Sequence, residues 1–186
     1  EIMGKDLDLE RSLSLIRDIP DYPKSGILFK DITPLLADPQ SFNVVLSALS
    51  VHTADIQYIA GIEARGFIIA SALAHKTGKG FVPIRKKGKL PSKVYSRRYG
   101  LEYGEDELEI HQDAFPAGSK VLLIDDVLAT GGTIRASLEL IEQVGGFVPT
   151  VLVLLEIEGL NGLGLEAVHD VHYQNRQIAK TRPSAS

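Results

Sequence analysis

The chain has 186 residues, 44% hydrophobic and 24% charged, ordinary globular proportions that exclude wholesale disorder and fibrous classes and fit one domain over residues 1–186. Its 20 Lys and Arg are outnumbered by 24 Asp and Glu, for a formal net charge of -4, so no basic bias points to nucleic acid and small molecules are the expected partners. The absence of cysteine excludes disulfides, thiolate metal sites and cysteine nucleophiles, and is compatible with a reducing, cytoplasmic compartment.

In chain order, Glu1 to Asp6 carries acids with no long apolar run behind it, unlike a secretory signal. Leu9, Leu13 and Ile16 predict a helix over Leu7 to Asp18, which Pro20 and Pro23 break into a loop ending at the apolar Ile27-Leu28-Phe29. Ser41 reads as the cap of a helix with Phe42, Val45, Leu46 and Leu49 on one side, and Gln57 to Gly61 as a buried strand. A helix from about Gly66 to Lys76 leads to strand Gly80 to Ile84. From Arg85 to Glu105 no period is sustained, and Lys and Arg collect there as if in a long mobile flap. Leu108 to His111 alternates like an edge strand, and Lys120 to Ile124 is apolar like a central one. Ile134 to Val144 is an amphipathic helix, and Val148 to Glu156 a further buried strand. The longest apolar stretch, Val151 to Leu155, is far short of the ~20 residues that a membrane-spanning helix needs, so no membrane role is expected. The polar end, about 174–186, reads as an unstructured tail. Strands alternating with helices predict an α/β fold with a mainly parallel central sheet flanked by helices, binding its ligand at the carboxyl ends of the strands.

The most informative segment follows the strand Val121 to Ile124. Asp125 and Asp126 stand at the mouth of the sheet, and Ala129, Thr130, Gly131, Gly132 and Thr133 precede a helix. Small residues and glycines there let backbone N–H groups face an anion at the positive end of the helix. The adjacent acids can accept hydrogen bonds from two neighbouring hydroxyls or steady a hydrated magnesium ion. Phosphate cradle and diol acceptor together suggest a phosphorylated ribose.

Val121 to Thr133 resembles the phosphoribosyl-diphosphate-binding motif of the type I phosphoribosyltransferases. Asp21-Tyr22-Pro23, Gly26 to Pro34, Glu63-Ala64-Arg65-Gly66-Phe67, Arg85 to Pro91 and Leu101 to Gly104 resemble the adenine-specific branch of that family. The resemblance spans roughly residues 15 to 157. It implies transfer of the 5-phosphoribosyl group from phosphoribosyl diphosphate to adenine, giving AMP and diphosphate in purine salvage, with Mg²⁺ carried by the substrate. It also implies a small hood over about 15–36, a flexible flap over about 86–107 and a homodimer.

By the same resemblance Ala129 to Thr133 hold the 5′-phosphate, while Asp125 and Asp126 take the ribose hydroxyls and face the reacting carbon. Arg65, Arg85, Lys86 and Lys89 meet the diphosphate, and Glu102 in the flap manages the purine proton. Leu28, Phe29 and Lys30 contact the base. The family often carries a non-proline cis peptide near Glu63-Ala64. Lys87 points away from Lys86 on an extended segment and is not assigned. The alternatives are a transferase for another purine base, or a non-catalytic binder of phosphoribosyl diphosphate that regulates a partner. Gly162 to Ala167 superficially matches a dinucleotide fingerprint but reads as a connector, and His169 and His172 lack a third ligand, so no metal bound by the protein alone is expected.

Overall fold

Residues 2–100, 105–128, 132–157 and 174–181 are described by the structure, a computed structural model. Where one domain is expected from length, the chain divides into two compact units, Glu1–Val51 and His52–Ser186.

In the first unit, α1 (Ile2–Leu13) stops short of the predicted Asp18. The amides of Leu15 and Ile16 reach back three residues to Ser12 and Leu13, at 3.2 and 3.1 Å, which tightens the last turn. Arg17–Ile19 is instead a strand, β1, antiparallel to β2 (Phe29–Asp31), so the apolar loop ends in a short ribbon. Ion pairs between opposed residues fasten it, Arg17 to Asp31 at 2.6 Å and Lys30 to Asp18 at 2.5 Å. After the short α2 (Thr33–Ala37) comes α3 (Pro39–Ser50). Its cap is Asp38, not Ser41: the Asp38 carboxylate accepts the Ser41 amide at 2.7 Å, and Ser41 is buried in the first turn. Proline after Asp38 suits this start, because the first helical N–H has no intrahelical partner to lose. Val45, Leu46 and Leu49 form the buried stripe of α3, which packs on α1.

The second unit holds β3 (Tyr58–Ile62), α4 (Arg65–Thr77), β4 (Gly80–Lys86), β5 (Val94–Gly100), β6 (Glu105–His111), β7 (Lys120–Leu128), α5 (Gly132–Val144), β8 (Phe147–Ile157) and β9 (Gln174–Thr181). They build a seven-stranded sheet in the order β5-β6-β4-β3-β7-β8-β9. The pairs β3/β4, β3/β7, β7/β8 and β8/β9 are parallel, and β4/β6 and β5/β6 antiparallel. The sheet is therefore mainly parallel, as expected. Its near-continuous apolar strands β3 and β7 lie inside it, with Ile59 to Ile62 and Val121 to Ile124 buried.

Three details depart from the sequence reading. The flap region is a hairpin, β5 against β6. That hairpin makes β5 the edge and moves Leu108–His111 one place inward. Gln174–Thr181, read as part of a polar tail, pairs with β8 as β9.

Among the described residues, two helices cover the sheet. Ala60 and Ile62 of β3 join the core cluster that contains Ile134, Leu140 and Ile141 of α5. Gly61, between them, faces α4: a Cβ added there would lie 2.7 Å from the Ala70 Cβ and 2.8 Å from the Gly66 carbonyl oxygen. Because successive strand residues point to opposite faces, α4 and α5 lie on opposite sides of the sheet. Among the described residues no helix is long and apolar enough to cross a membrane.

Candidate active site

Parallel β3, β4 and β7 end on the same side, and there a cleft of about 200 Å³ opens. Its walls are Ile62, Glu63, Ala64 and Arg65 from the β3–α4 junction, Lys86 from the end of β4, Tyr99 and Leu108 from the hairpin, Asp125 and Asp126 from β7, and Thr133 from the first turn of α5. The acids stand within β7, which runs on to Leu128, rather than in a loop after it.

Asp126 is almost fully buried, and its carboxylate meets Arg65 Nε at 2.8 Å. Asp125 turns one oxygen back to accept the Asp126 amide at 2.9 Å. Burial pushes the Asp125 carboxyl well above the usual carboxylate range, and the like charge of Asp126 adds to the rise; the Asp126 amide and Arg65 offset only part of it.

Glu63 is the opposite case. Its Oε1 accepts the Lys86 amide at 2.5 Å, and its Oε2 is shared by Arg85 and Lys89, each at 3.2 Å. Burial alone would raise its pKa, but these three donors outweigh it and the net shift is downward. The Glu63-Ala64 peptide is cis, where the resemblance placed one. Lys86 Nζ donates to the Tyr99 hydroxyl at 2.6 Å, pairs with the Asp106 carboxylate and lies 5.3 Å from the Tyr99 ring. The Arg85 guanidinium lies 5.8 Å from the Phe67 ring centroid.

The predicted residues Arg65, Lys86, Asp125, Asp126 and Thr133 are thus brought to one cleft. Arg85 and Lys89 are not among its walls but bond the Glu63 carboxylate, which is. Gly132 opens α5. Glu102, Ala129, Thr130 and Gly131 lie outside the described residues, as do Gly162 to Ala167, His169 and His172. Leu28, Phe29 and Lys30 belong to the first unit, where the Phe29 ring stands edge-on to Tyr22 at 5.1 Å.

Sequence reasoning missed Glu63 and Tyr99 as wall residues. A signal for Glu63 exists in hindsight: it is an acid at the end of an apolar strand, two residues before the arginine. Tyr99 had no comparable signal, because its strand is polar. Among the described residues no three His, Asp or Glu side chains gather to hold a metal.

A phosphoribosyl transferase domain model matches residues 36–161. An adenine phosphoribosyltransferase of Pelodictyon phaeoclathratiforme is 54% identical over 153 residues, which cover 80% of this chain and 86% of that protein. The crystal structure of adenine phosphoribosyltransferase from Thermoanaerobacter pseudethanolicus superimposes with a TM-score of 0.86 at 45% identity, covering 93% of this chain and 99% of the other. The Saccharomyces cerevisiae enzyme, complexed with a dideoxy-imino-altritol bisphosphate and adenine, matches with a TM-score of 0.85 at 33% identity over 95% of this chain and 99% of its own.

Proposed function

The chain belongs to the phosphoribosyl transferase family, and on that footing we propose how its residues carry out the reaction for which its relatives are named. Its activity is that of an adenine phosphoribosyltransferase: the 5-phosphoribosyl group passes from phosphoribosyl diphosphate to adenine, giving AMP and diphosphate. The observation that carries the residue roles is the meeting of Asp125, Asp126, Arg65, Lys86 and the first turn of α5 in one cleft.

The positive end of α5 receives the 5′-phosphate through backbone N–H groups of Ala129 to Thr133 and the hydroxyls of Thr130 and Thr133. Asp125 and Asp126 accept hydrogen bonds from the ribose hydroxyls. As the bond from the anomeric carbon to diphosphate breaks, that carbon becomes cationic, and the fixed carboxylates stabilise it. Arg65, Arg85, Lys86 and Lys89 take up the charge gathering on the leaving group, exchanging their present bonds to Asp126, Glu63 and Asp106 for diphosphate oxygens. The bond to the adenine imidazole nitrogen forms, and Glu102 receives the proton that nitrogen gives up. Leu28, Phe29 and Lys30 contact the base in this reading.

Magnesium fits the residues present. Asp125 is a part-buried acid beside a second acid whose like charge helps push its carboxyl up, and Mg²⁺ is commonly held by one or two carboxylates with water and substrate phosphates completing its shell. Asp125, through a water, would hold it, and the chemistry it would supply is neutralisation of charge on the diphosphate. A homodimer and a cytoplasmic setting complete the proposal.

Radiolabelled adenine incubated with phosphoribosyl diphosphate and Mg²⁺ tests it. AMP should form from adenine, and labelled hypoxanthine in its place should give no nucleotide. Product from hypoxanthine would move the specificity to another base, and no product from any base would leave only a binder.

A further inference from the structure

The cationic stretch after β4 is a tight turn gripped from two sides by carboxylates. The Lys89 amide donates to the Lys86 carbonyl at 3.3 Å, and Gly88, third of the four residues, has φ 80°. Positive φ at that position is what a type II turn requires and what glycine adopts without strain. The turn brings Lys86 and Lys89, its first and last residues, to the same end, while Lys87 is drawn off to Glu107 at 3.0 Å.

From the β3 side, Glu63 accepts the Lys86 amide and the Lys89 ammonium. From the β6 side, Glu109 Oε2 accepts the Gly88 amide at 3.2 Å, and its Oε1 accepts the Ser96 hydroxyl at 3.4 Å. Because β4 lies between β6 and β3, the turn is held from both neighbours. Glu109 is not a wall of the cleft. It is 6% exposed, between Leu108 and Ile110, and stands opposite both Arg85 and Ser96 in register. A carboxylate buried there loses hydration and depends on those partners.

We propose that Glu109 is a positioning residue for the diphosphate site: by holding the Gly88 amide it fixes the turn so that Lys86 and Lys89 present their charges to one anion. The proposal rests on the reading of those lysines as diphosphate ligands. Its sign separates it from a charge effect. Removing a negative charge near an anion site should tighten diphosphate binding, whereas loosening the turn should weaken it.

Titration calorimetry of diphosphate with Mg²⁺ into the full chain decides. Glu109→Ala should weaken the Kd about tenfold, the scale of one lost hydrogen bond to a charged group, and raise the KM for phosphoribosyl diphosphate alike while the KM for adenine holds. Glu109→Gln can accept from Gly88 with its amide oxygen and donate to Ser96, so it should restore wild-type affinity. Should Glu109→Ala not fold, Gly88→Ala deforms the same turn through its φ and has to weaken diphosphate too.

Unchanged or tighter binding in these variants overturns the proposal, as does a lower melting temperature with no change in Kd. So does a Glu109→Gln that binds as weakly as Glu109→Ala. A wild-type chain that makes no AMP defeats the functional reading instead, and the titration, which needs no turnover, still decides for Glu109. A wild-type chain that binds no diphosphate defeats both.

Discussion

Asp125 and Asp126 place two carboxylates in one cleft, and Asp125 bears the cost. A carboxyl whose pKa is higher folded than unfolded makes its full contribution to folding below its unfolded value, and that contribution is lost as pH rises through the folded value. At neutral pH Asp125 therefore destabilises the chain that uses it. Asp125→Asn should raise the melting temperature at pH 7 by roughly 2–4 °C, the shift that ~1 kcal/mol makes in a chain of this size. The advantage should shrink as pH falls through the raised folded value and be gone below about pH 4, where the unfolded carboxyl is protonated as well. Turnover should fall by about 10²-fold or more, since a fixed charge facing the transition state is lost. Calorimetric melting across pH beside a rate assay checks this, and a variant that melts lower than wild type at pH 7 refutes it. Glu63, in the same cleft, has the reverse linkage, because its downward shift stabilises at neutral pH and is lost in acid. The sequence made Asp125, Asp126 and Arg65 legible, since acids and a guanidinium at strand ends are local signals. The use of Glu63 was hidden, because its partners Arg85, Lys86 and Lys89 are brought to it only by the pairing of β3 with β4.

The β3–α4 junction that carries Arg65 depends on the close approach at Gly61. A methyl there would meet the Ala70 side chain at 2.7 Å and the Gly66 backbone oxygen at 2.8 Å, both below contact distance. Gly61→Ala should cost about 1–3 kcal/mol, the range for overpacking a close-packed interior, measured by urea unfolding. Adding Ala70→Gly should recover only part of the loss, because the backbone oxygen stays in place; full recovery would show that the side chain alone was limiting. Elements of this kind were readable because burial makes them apolar: β3, β7, β8, α4 and α5 all announce themselves. The two edges of the sheet did not. β5 carries Ser96, Arg97 and Arg98, and β9 carries Gln174, Asn175, Arg176 and Gln177. Charged and polar edge strands discourage pairing with other chains, and the same residues erase the apolar pattern by which a strand is recognised. The α3 cap was misplaced for a local reason, since Asp38 and Ser41 are both good caps and only the Pro39 start distinguishes them.

At the scale of the whole chain, a formal net charge of -4 must still admit a substrate that carries several negative charges. Net charge governs what the molecule attracts from afar, but salt screens that field over ~10 Å at 0.1 M and ~3 Å at 1 M. What acts close to the cleft is a cluster of cations, Arg65 at the start of α4, Arg85 and Lys86 at the end of β4 and Lys89 just beyond it, each paired with a carboxylate that an anion can replace. Binding of phosphoribosyl diphosphate should then weaken with salt while binding of uncharged adenine does not. Between those two salt concentrations the KM for phosphoribosyl diphosphate should rise several-fold, roughly what screening of a few partly exposed pairs allows. Lys89 has a half-exposed side chain, so its charge is the most open to screening, and Lys89→Ala should flatten the salt dependence as well as raise the KM at low salt. Steady-state kinetics across KCl concentration measures both slopes. A parallel rise for adenine would mean that salt acts on the fold or on closure of the site, and the local cluster would then not be what draws the anion in.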